Sequence, residues 1–285
     1  GPGSRTPVFL KGCPLHCAWC HNPEGISRRG EIIVLETRCI ACGQCRDACP
    51  FGAAVPGAGP LPPRLDQCTL CGACVDACPT GARQRIGRTV TVAELVEQLS
   101  QDRIFYDDSG GGVTISGGEP LAQPRFLVAL IAACAERGLH VALDTAGFGR
   151  REDLHAAARL TDLVLYDLKA FDSDLHRRLT GVPNGLILDN LRSLAEERHD
   201  LWIRIPVVPG MNDDPEDLAR LAGFVSGLRR VTLVNLLPFH RTALLKFGRL
   251  GLTHALEGVP TPSDESMARL AKLFADAGLP TKVGG

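Results

Sequence analysis

The stretch Val8-Phe-Leu-Lys-Gly-Cys13-Pro-Leu-His-Cys17-Ala-Trp-Cys20 decides the reading of this chain. A short apolar strand (Val8, Phe9, Leu10) runs into a loop that spaces three thiols as C-x3-C-x2-C. Three thiolates can hold three irons of a [4Fe–4S] cube, whereas ferredoxin-type clusters use four. The missing ligand is the informative feature: it leaves one iron open to a small molecule offering an amine and a carboxylate. The plain alternative is zinc, with His16 or His21 as fourth ligand, but structural zinc usually takes paired ligands at other spacings.

Further along, Cys39-x2-Cys42-x2-Cys45-x3-Cys49-Pro50 is followed by Cys68-x2-Cys71-x2-Cys74-x3-Cys78-Pro79. This is the two-cluster bacterial ferredoxin run, present twice, in which the fourth Cys of each run ligates the other cluster. The spacing therefore assigns Cys39, Cys42, Cys45 and Cys78 to one [4Fe–4S] cluster, and Cys68, Cys71, Cys74 and Cys49 to a second. Two zinc knuckles fit poorly, because neither run splits into separated C-x2-C pairs. Residues 31–86 have almost no apolar periodicity, so bound clusters must supply what apolar burial does not. The Pro/Gly stretch Pro56–Pro63 links the two halves. The chemistry is one-electron transfer, relayed to the loop cluster.

The chain has 285 residues, enough for one large domain or one domain plus a small module. Its net charge of −1 gives no basic field for nucleic acid or an anionic membrane. No apolar run reaches the length of a membrane span, and no signal peptide is visible. Eleven of the 12 cysteines lie between Cys13 and Cys78. Disulfides would have no reason to crowd one quarter of a chain this long; metal ligands do. Cys134 stands apart, on the apolar face of a helix, and reads as a packed core thiol.

From about Thr89 strands and helices alternate. Thr91-Val-Ala-Glu94 is a capping box opening a helix through Leu95, Val96 and Leu99. Val113–Ser116 is a strand, and a helix follows from Pro124 with Phe126, Leu127, Leu130, Ile131 and Cys134 on one face, ended by Gly138. Strands are expected at 139–144, 163–168, 201–208 and 231–237, and helices at 151–159, 172–179, 185–198 and 264–277, with another capped by Asp214 and Pro215. The strands are nearly continuous runs of Val, Leu and Ile, as when both faces are buried. About six such units predict an α/β fold, a partial (β/α)6 TIM-like barrel with a ferredoxin-like two-cluster insert. The expected division is 1–30 for the first strand and cluster loop, 31–86 for the insert, and 87–285 for the rest of the barrel.

In barrels, functional groups gather at the C-terminal ends of the strands. Those ends carry Ser116-Gly117-Gly118-Glu119-Pro120, Asp144-Thr145, Asp167-Leu-Lys169, Arg204, and Leu237-Pro-Phe-His240. Each has an ordinary reading. Gly117 and Gly118 make a tight turn, or bare the backbone for a ligand. Arg204, costly in an apolar strand unless paired, can simply pair with Asp144 or Asp167. Asp167 and Lys169, two apart on a strand, share a face. His240 alone is most often just a hydrogen-bonded histidine.

The cysteine loop, with Trp19 before its last Cys, resembles the radical S-adenosylmethionine (SAM) superfamily. Gly1-Pro-Gly-Ser-Arg-Thr6, Val8–Pro14 and Trp19-Cys-His-Asn-Pro-Glu24 further resemble the opening of glycyl-radical-enzyme activating enzymes, such as that of pyruvate formate-lyase. The match of Arg5-Thr6 reads as native sequence, while Gly1–Ser4, with Ser4 where the family usually has an aliphatic residue, fits either native sequence or a cloning remnant. Arg204-x-Pro-Val-Val-Pro-Gly-Met-Asn-Asp213 and Leu236-Leu-Pro-Phe-His240 follow the same family. The resemblance implies that Gly117-Gly118-Glu119-Pro receives the amino group of SAM, and that Lys169, Arg204 and His240 contact its carboxylate, ribose and adenine side. It further implies a monovalent cation (sodium or potassium) held by Asp144, Thr145 and Asp167. Three [4Fe–4S] clusters, SAM as cofactor, and Cys13, Cys17 and Cys20 as the catalytic centre are thus expected. The implied reaction is reductive SAM cleavage to a 5′-deoxyadenosyl radical that abstracts hydrogen from a backbone glycine of a partner enzyme. Flavodoxin or ferredoxin is the implied electron donor, and an anaerobic cytoplasm the setting. One rival is a radical SAM enzyme acting on a small molecule, though many of those carry extra clusters after the barrel and no Cys follows Cys134. The other is an iron–sulfur electron carrier, against which the intact first motif and full set of strand-end groups speak.

Overall fold

The computed structural model describes residues 1–54, 66–197, 200–250, 252, 255–256 and 258–284. The Pro56–Pro63 linker falls outside them. In chain order the elements are β1 (Arg5–Leu10), β2 (Glu31–Val34), α1 (Gln44–Asp47), α2 (Ala73–Asp76), β3 (Arg83–Ile86), α3 (Val92–Ser100), α4 (Arg103–Ser109) and β4 (Gly112–Gly117). There follow α5 (Pro124–Glu136), β5 (Val141–Thr145), α6 (Arg151–Ala158), β6 (Leu163–Asp167), α7 (Ser173–Thr180) and α8 (Gly185–Ala195). The chain closes with β7 (Asp200–Val207), α9 (Pro215–Ser226), β8 (Val231–Pro238), α10 (Thr242–Arg249), α11 (Asp264–Asp276) and β9 (Thr281–Val283).

Among the described residues, seven strands form one sheet in the order β1-β4-β5-β6-β7-β8-β9, and every neighbouring pair is parallel. The six expected strands are all there. The seventh, β9, has three residues, too few for a hydrophobic period to show in the sequence. The sheet stays open, with β1 and β9 as its edges. β1 begins at Arg5 rather than Val8, and Pro7 fits there because an edge strand tolerates a residue without an N–H.

Capping chemistry sets the helix starts. Thr91 Oγ1 accepts from Glu94 N at 3.2 Å while Glu94 Oε2 accepts from Thr91 N at 2.8 Å, the reciprocal box expected. Asp214 accepts from Asp217 N at 3.1 Å. Leu127, Leu130, Ile131 and Cys134 of α5 are fully buried against the sheet.

The continuous apolar strands follow from two-sided burial. Leu143, Val164, Tyr166 and Ile203 belong to the large core beneath the helices. Their alternates Ala142, Leu163 and Leu165, with Trp202 packed on them, form a separate cluster on the inner face. β2 and β3 make a second, antiparallel sheet of two strands, which brackets the two ferredoxin-type cysteine runs.

Candidate active site

The inner-face series of each strand runs directly into the polar groups, because side chains alternate with period two. Ala142 leads to Asp144; Leu163 and Leu165 lead to Asp167 and Lys169; Trp202 leads to Arg204. β6 and β7 pair in a register that sets Asp167 opposite Arg204. These residues and the cysteine loop line one cavity that opens to solvent. Its walls include Cys13, Cys17, Trp19, Cys20, Gly117, Gly118, Glu119, Asp144, Thr145, Asp167, Lys169 and Arg204. His240 is exposed and does not line it; Phe239 and Pro238 do.

Charge in the cavity is paired. Arg204 Nη1 lies 2.7 Å from Asp144 Oδ1, and its Nε 3.6 Å from Asp167 Oδ1. Lys169 Nζ lies 2.9 Å from Asp167 Oδ2. Burial alone would raise the Asp167 carboxyl, but Lys169 and Arg204 outweigh it and hold it below the usual range. Ser116 Oγ donates to Asp144 Oδ2 at 2.8 Å, a partner the sequence did not single out. Asp167 Oδ1 is buried and accepts no hydrogen bond, its nearest cation being Arg204 Nε in the ion pair above.

Glu119 is 1% exposed. Its Oε1 accepts from Thr145 Oγ1 at 2.5 Å and Leu121 N at 3.1 Å, and its Oε2 from Ala146 N at 2.8 Å. Burial nonetheless pushes its carboxyl up to about 7. Thr145 is thereby turned toward Glu119 and not toward the aspartates.

The glycine pair serves the cysteine loop. A Cβ on Gly117 would lie 2.3 Å from the N and O of Leu10, and one on Gly118 2.5 Å from the carbonyl oxygens of Gly12 and Gly25. The turn is bare so that both ends of the loop can close onto β4. Another group legible only in the structure is Asn212. It donates to the carbonyls of Lys169 at 2.8 Å and Pro206 at 2.6 Å and accepts from Val208 N at 2.8 Å, tying β6 to β7. Its signal was the Pro-Gly-Met-Asn-Asp turn.

Burial raises the three loop thiols, Cys13 to about 12 and Cys20 to about 11; Cys17 rises for the same reason. A metal bound there would have to displace those protons. Among the described residues no three His, Cys, Asp or Glu side chains surround a single ion position. The thiols of a cube sit on different irons and do not converge on one point.

In the insert, the two runs share one backbone. Ala41 and Leu70, each just before the second Cys, have φ of 55° and 61°. Gly43 and Gly72, just after it, have φ of 81° and 90° and start α1 and α2. Successive N–H groups in such turns make anion-binding concavities. A second, small cavity is lined by Cys49 together with Cys68, Cys71 and Cys74, and by Ile32, Phe51 and Leu70. Burial pushes the Cys49 thiol up, but N–H groups of Phe51, Ala54, Ala53 and Gly52 outweigh it and lower it. The same balance lowers Cys78, through Arg83, Thr80 and Ala82.

The chain matches the Radical SAM superfamily over residues 8–222. It is 41% identical over 289 residues to the choline trimethylamine-lyase activating enzyme of Oleidesulfovibrio alaskensis, covering 99% of this chain and 93% of that protein. It is also 41% identical to the trans-4-hydroxy-L-proline dehydratase activating enzyme of Clostridioides difficile, covering 100% and 95%. A crystal structure of a domain of pyruvate-formate lyase-activating enzyme from Bacteroides vulgatus matches with a TM-score of 0.53 and 36% identity, over 61% of this chain and 99% of that one. With a loop of three thiols facing a paired set of strand-end charges, and relatives this similar along its whole length, the chain belongs to the radical SAM superfamily, among the activating enzymes of glycyl-radical enzymes.

Proposed function

We propose that this chain activates a glycyl-radical enzyme, with Cys13, Cys17 and Cys20 holding a [4Fe–4S] cluster and the strand ends holding SAM against its open iron. When bound and reduced by one electron, the cluster supplies the electron that splits the sulfonium C–S bond, giving methionine and a 5′-deoxyadenosyl radical that takes hydrogen from the partner's glycine. The observation that carries the reading is the single cavity into which the three thiols and the polar ends of four strands all face.

The chain's own residues bind and orient. Lys169 and Arg204 present positive charge to the SAM carboxylate. Glu119 spends both oxygens on Thr145, Leu121 and Ala146; its part is to hold the Gly117-Gly118 turn, whose backbone lines the cavity for the amino group. Trp19, Val208 and Phe239 pack together and close the apolar side, next to where His240 leaves for the surface. A sodium or potassium ion at Asp144, Thr145 and Asp167 is supported by Asp167 Oδ1, which accepts no hydrogen bond, and less by Thr145, which faces Glu119.

We assign two further clusters to residues 31–86, inserted between the first barrel strand (1–30) and the rest of the barrel (87–285). The crossed ligand sets, Cys39, Cys42, Cys45 with Cys78 and Cys68, Cys71, Cys74 with Cys49, are supported by the cavity that joins Cys49 to the second run. They pass electrons from flavodoxin or ferredoxin in an oxygen-free cytoplasm. Among the described residues no helix is long and apolar enough to cross a membrane.

The test is anaerobic reconstitution with iron and sulfide, followed by dithionite and SAM. About twelve irons per chain, 5′-deoxyadenosine that vanishes in Cys17→Ala, and a glycyl radical by EPR on an added glycyl-radical enzyme are expected. Full iron loading without deoxyadenosine would overturn the reading in favour of an electron carrier.

A further inference from the structure

The antiparallel pair β2–β3 works as a ruler between the barrel and the insert. Its near end is fastened to the cysteine loop. Lys11, two residues before Cys13, places Nζ 2.9 Å from Glu31 Oε2 and also donates to the Glu24 carbonyl. Gly87 packs so tightly on Lys11 that a Cβ there would meet its Cδ at 2.5 Å. A Cβ on Gly30 would meet the carbonyl oxygen of Ile86 at 3.3 Å and Cδ1 of Leu70 at 3.4 Å. Leu70 lies between Cys68 and Cys71, so the second run touches the joint with the barrel.

The far end of the pair is Val34 opposite Arg83, continued by Leu35 N donating to Ala82 O at 2.8 Å. Cys39 follows Val34 by five positions. The Cys78 thiol accepts N–H groups from Arg83, Thr80 and Ala82, which places it at the same far end. Three steps of extended chain separate Glu31 from Val34, roughly 10 Å. The surroundings differ as well. Cys68, Cys71, Cys74 and Cys49 share a cavity with Ile32, Phe51, Ala53 and Ala54, and Cys74 is buried, whereas none of Cys39, Cys42, Cys45 and Cys78 is; Cys42 and Cys71 are both exposed.

We propose that the two insert clusters stand in series, the one held by Cys68, Cys71, Cys74 and Cys49 next to the barrel, and the one held by Cys39, Cys42, Cys45 and Cys78 at the far end where electrons come in. The proposal rests on the three-cluster reading above. A reduced one-electron carrier protein loses one electron to the far cluster, which passes it to the near cluster and then to the loop cluster. No bond or proton changes hands in the relay.

The test uses the full chain, reconstituted, and two surface charges at corresponding positions, Ile40→Lys and Thr69→Lys. Both residues are exposed and neither is a ligand, so iron content stays at the wild-type value. Each lysine raises the midpoint of the cluster it adjoins. The reduced-to-oxidised ratio at fixed potential should change about threefold, the Coulomb effect of one charge about 7 Å away in water. The second readout is microwave-power saturation of the loop cluster's EPR signal, recognised by its change when SAM is added. The loop cluster should begin to relax faster at the potential where its nearest neighbour is reduced, and that onset should move with Thr69→Lys and not with Ile40→Lys. An onset that follows Ile40→Lys, or both, or neither, overturns the series order. A wild-type count near four irons, with no insert signals, instead refutes the three-cluster reading and the order with it.

Discussion

Replacing Gly118 by alanine tests whether the glycine pair seats the cysteine loop. Gly118 has no left-handed backbone to lose, so the effect is steric. The added Cβ would lie 2.5 Å from the carbonyl oxygens of Gly12 and Gly25 and 2.8 Å from the Gly12 carbonyl carbon. Each oxygen must retreat by about 0.5 Å or more to reach the closest tolerated contact. Those same oxygens accept the bonds that close the loop, Gly25 O from Gly12 N at 2.7 Å and Gly12 O from Glu119 N at 2.8 Å. Overpacking against backbone costs about 1–3 kcal/mol and each weakened hydrogen bond about 1 kcal/mol. The sum, about 3 kcal/mol, is roughly a hundredfold in an equilibrium constant. In the reconstituted protein, the SAM concentration that half-converts the EPR spectrum of the reduced loop cluster should rise by that factor. Gly223→Ala is the paired control: nothing lies within 4 Å of its Cβ position and it sits in α9, so the same chemical change should stabilise by about 1 kcal/mol and leave SAM binding alone. Gly118→Ala with wild-type iron and a wild-type SAM midpoint would refute the reasoning.

Lys169→Met leaves Asp167 with the longer ion pair to Arg204 and should cost about 3 kcal/mol at neutral pH, as when one partner of a buried pair is removed. Wild-type stability from Asp167 holds above the ordinary carboxylate range and is lost as pH falls through its lowered value. In the variant burial lifts that carboxyl, so the deficit in anaerobic thermal unfolding should narrow on acidification; a deficit that does not change with pH would count against it. Glu119, raised to about 7 by burial, gives the folded chain more bound protons than the unfolded one below that pH, so its contribution to stability falls as pH rises toward 7. Stability profiles between pH 5 and 8 should lose that slope in Glu119→Gln, and an unchanged slope would exclude Glu119 as its source. Cys134→Ala, at a fully buried position on α5, should keep every iron and the full deoxyadenosine yield; loss of iron would make Cys134 a ligand after all.

The parts of this molecule most legible in sequence were those written in spacing. The capping box at Thr91 and the apolar strands from Val113 to Leu237 are written in local sequence, and the structure forms those elements where the sequence places them. Arg204 was read with two roles open, and the structure gives it Asp144 and Asp167 as partners, which leaves its charge in the cavity without a large desolvation cost. Less legible were features that depend on contacts between distant segments. Nothing in Gly117-Gly118 says that their bareness serves Gly12 and Gly25, because those contacts exist only once β1 and β4 pair. The hairpin of Glu31–Val34 with Arg83–Ile86 escaped notice because the two four-residue strands lie far apart in sequence, with the cysteine runs between them. His240 is exposed, one residue beyond Phe239, which lines the cavity.

The inner face of the sheet explains why the polar groups are paired. Strands buried on both sides offer no water to a charge, and a lone aspartate or arginine there would be expensive. Asp144, Asp167, Lys169 and Arg204 form a neutral set, two of each sign, on strands β5, β6 and β7 and the turn after β6. A neutral set exerts little net pull on a ligand. Its worth lies in direction, since each charge is fixed by its neighbour in the register of a rigid sheet. A ligand that carries both signs of charge would gain by matching that fixed pattern. The thiol loop, closed onto β4 by Gly117 and Gly118, sets the distance at which that match is made. Charge pairing and loop closure therefore act together: the first fixes the direction of the strand-end charges, and the second fixes how far they stand from the thiols.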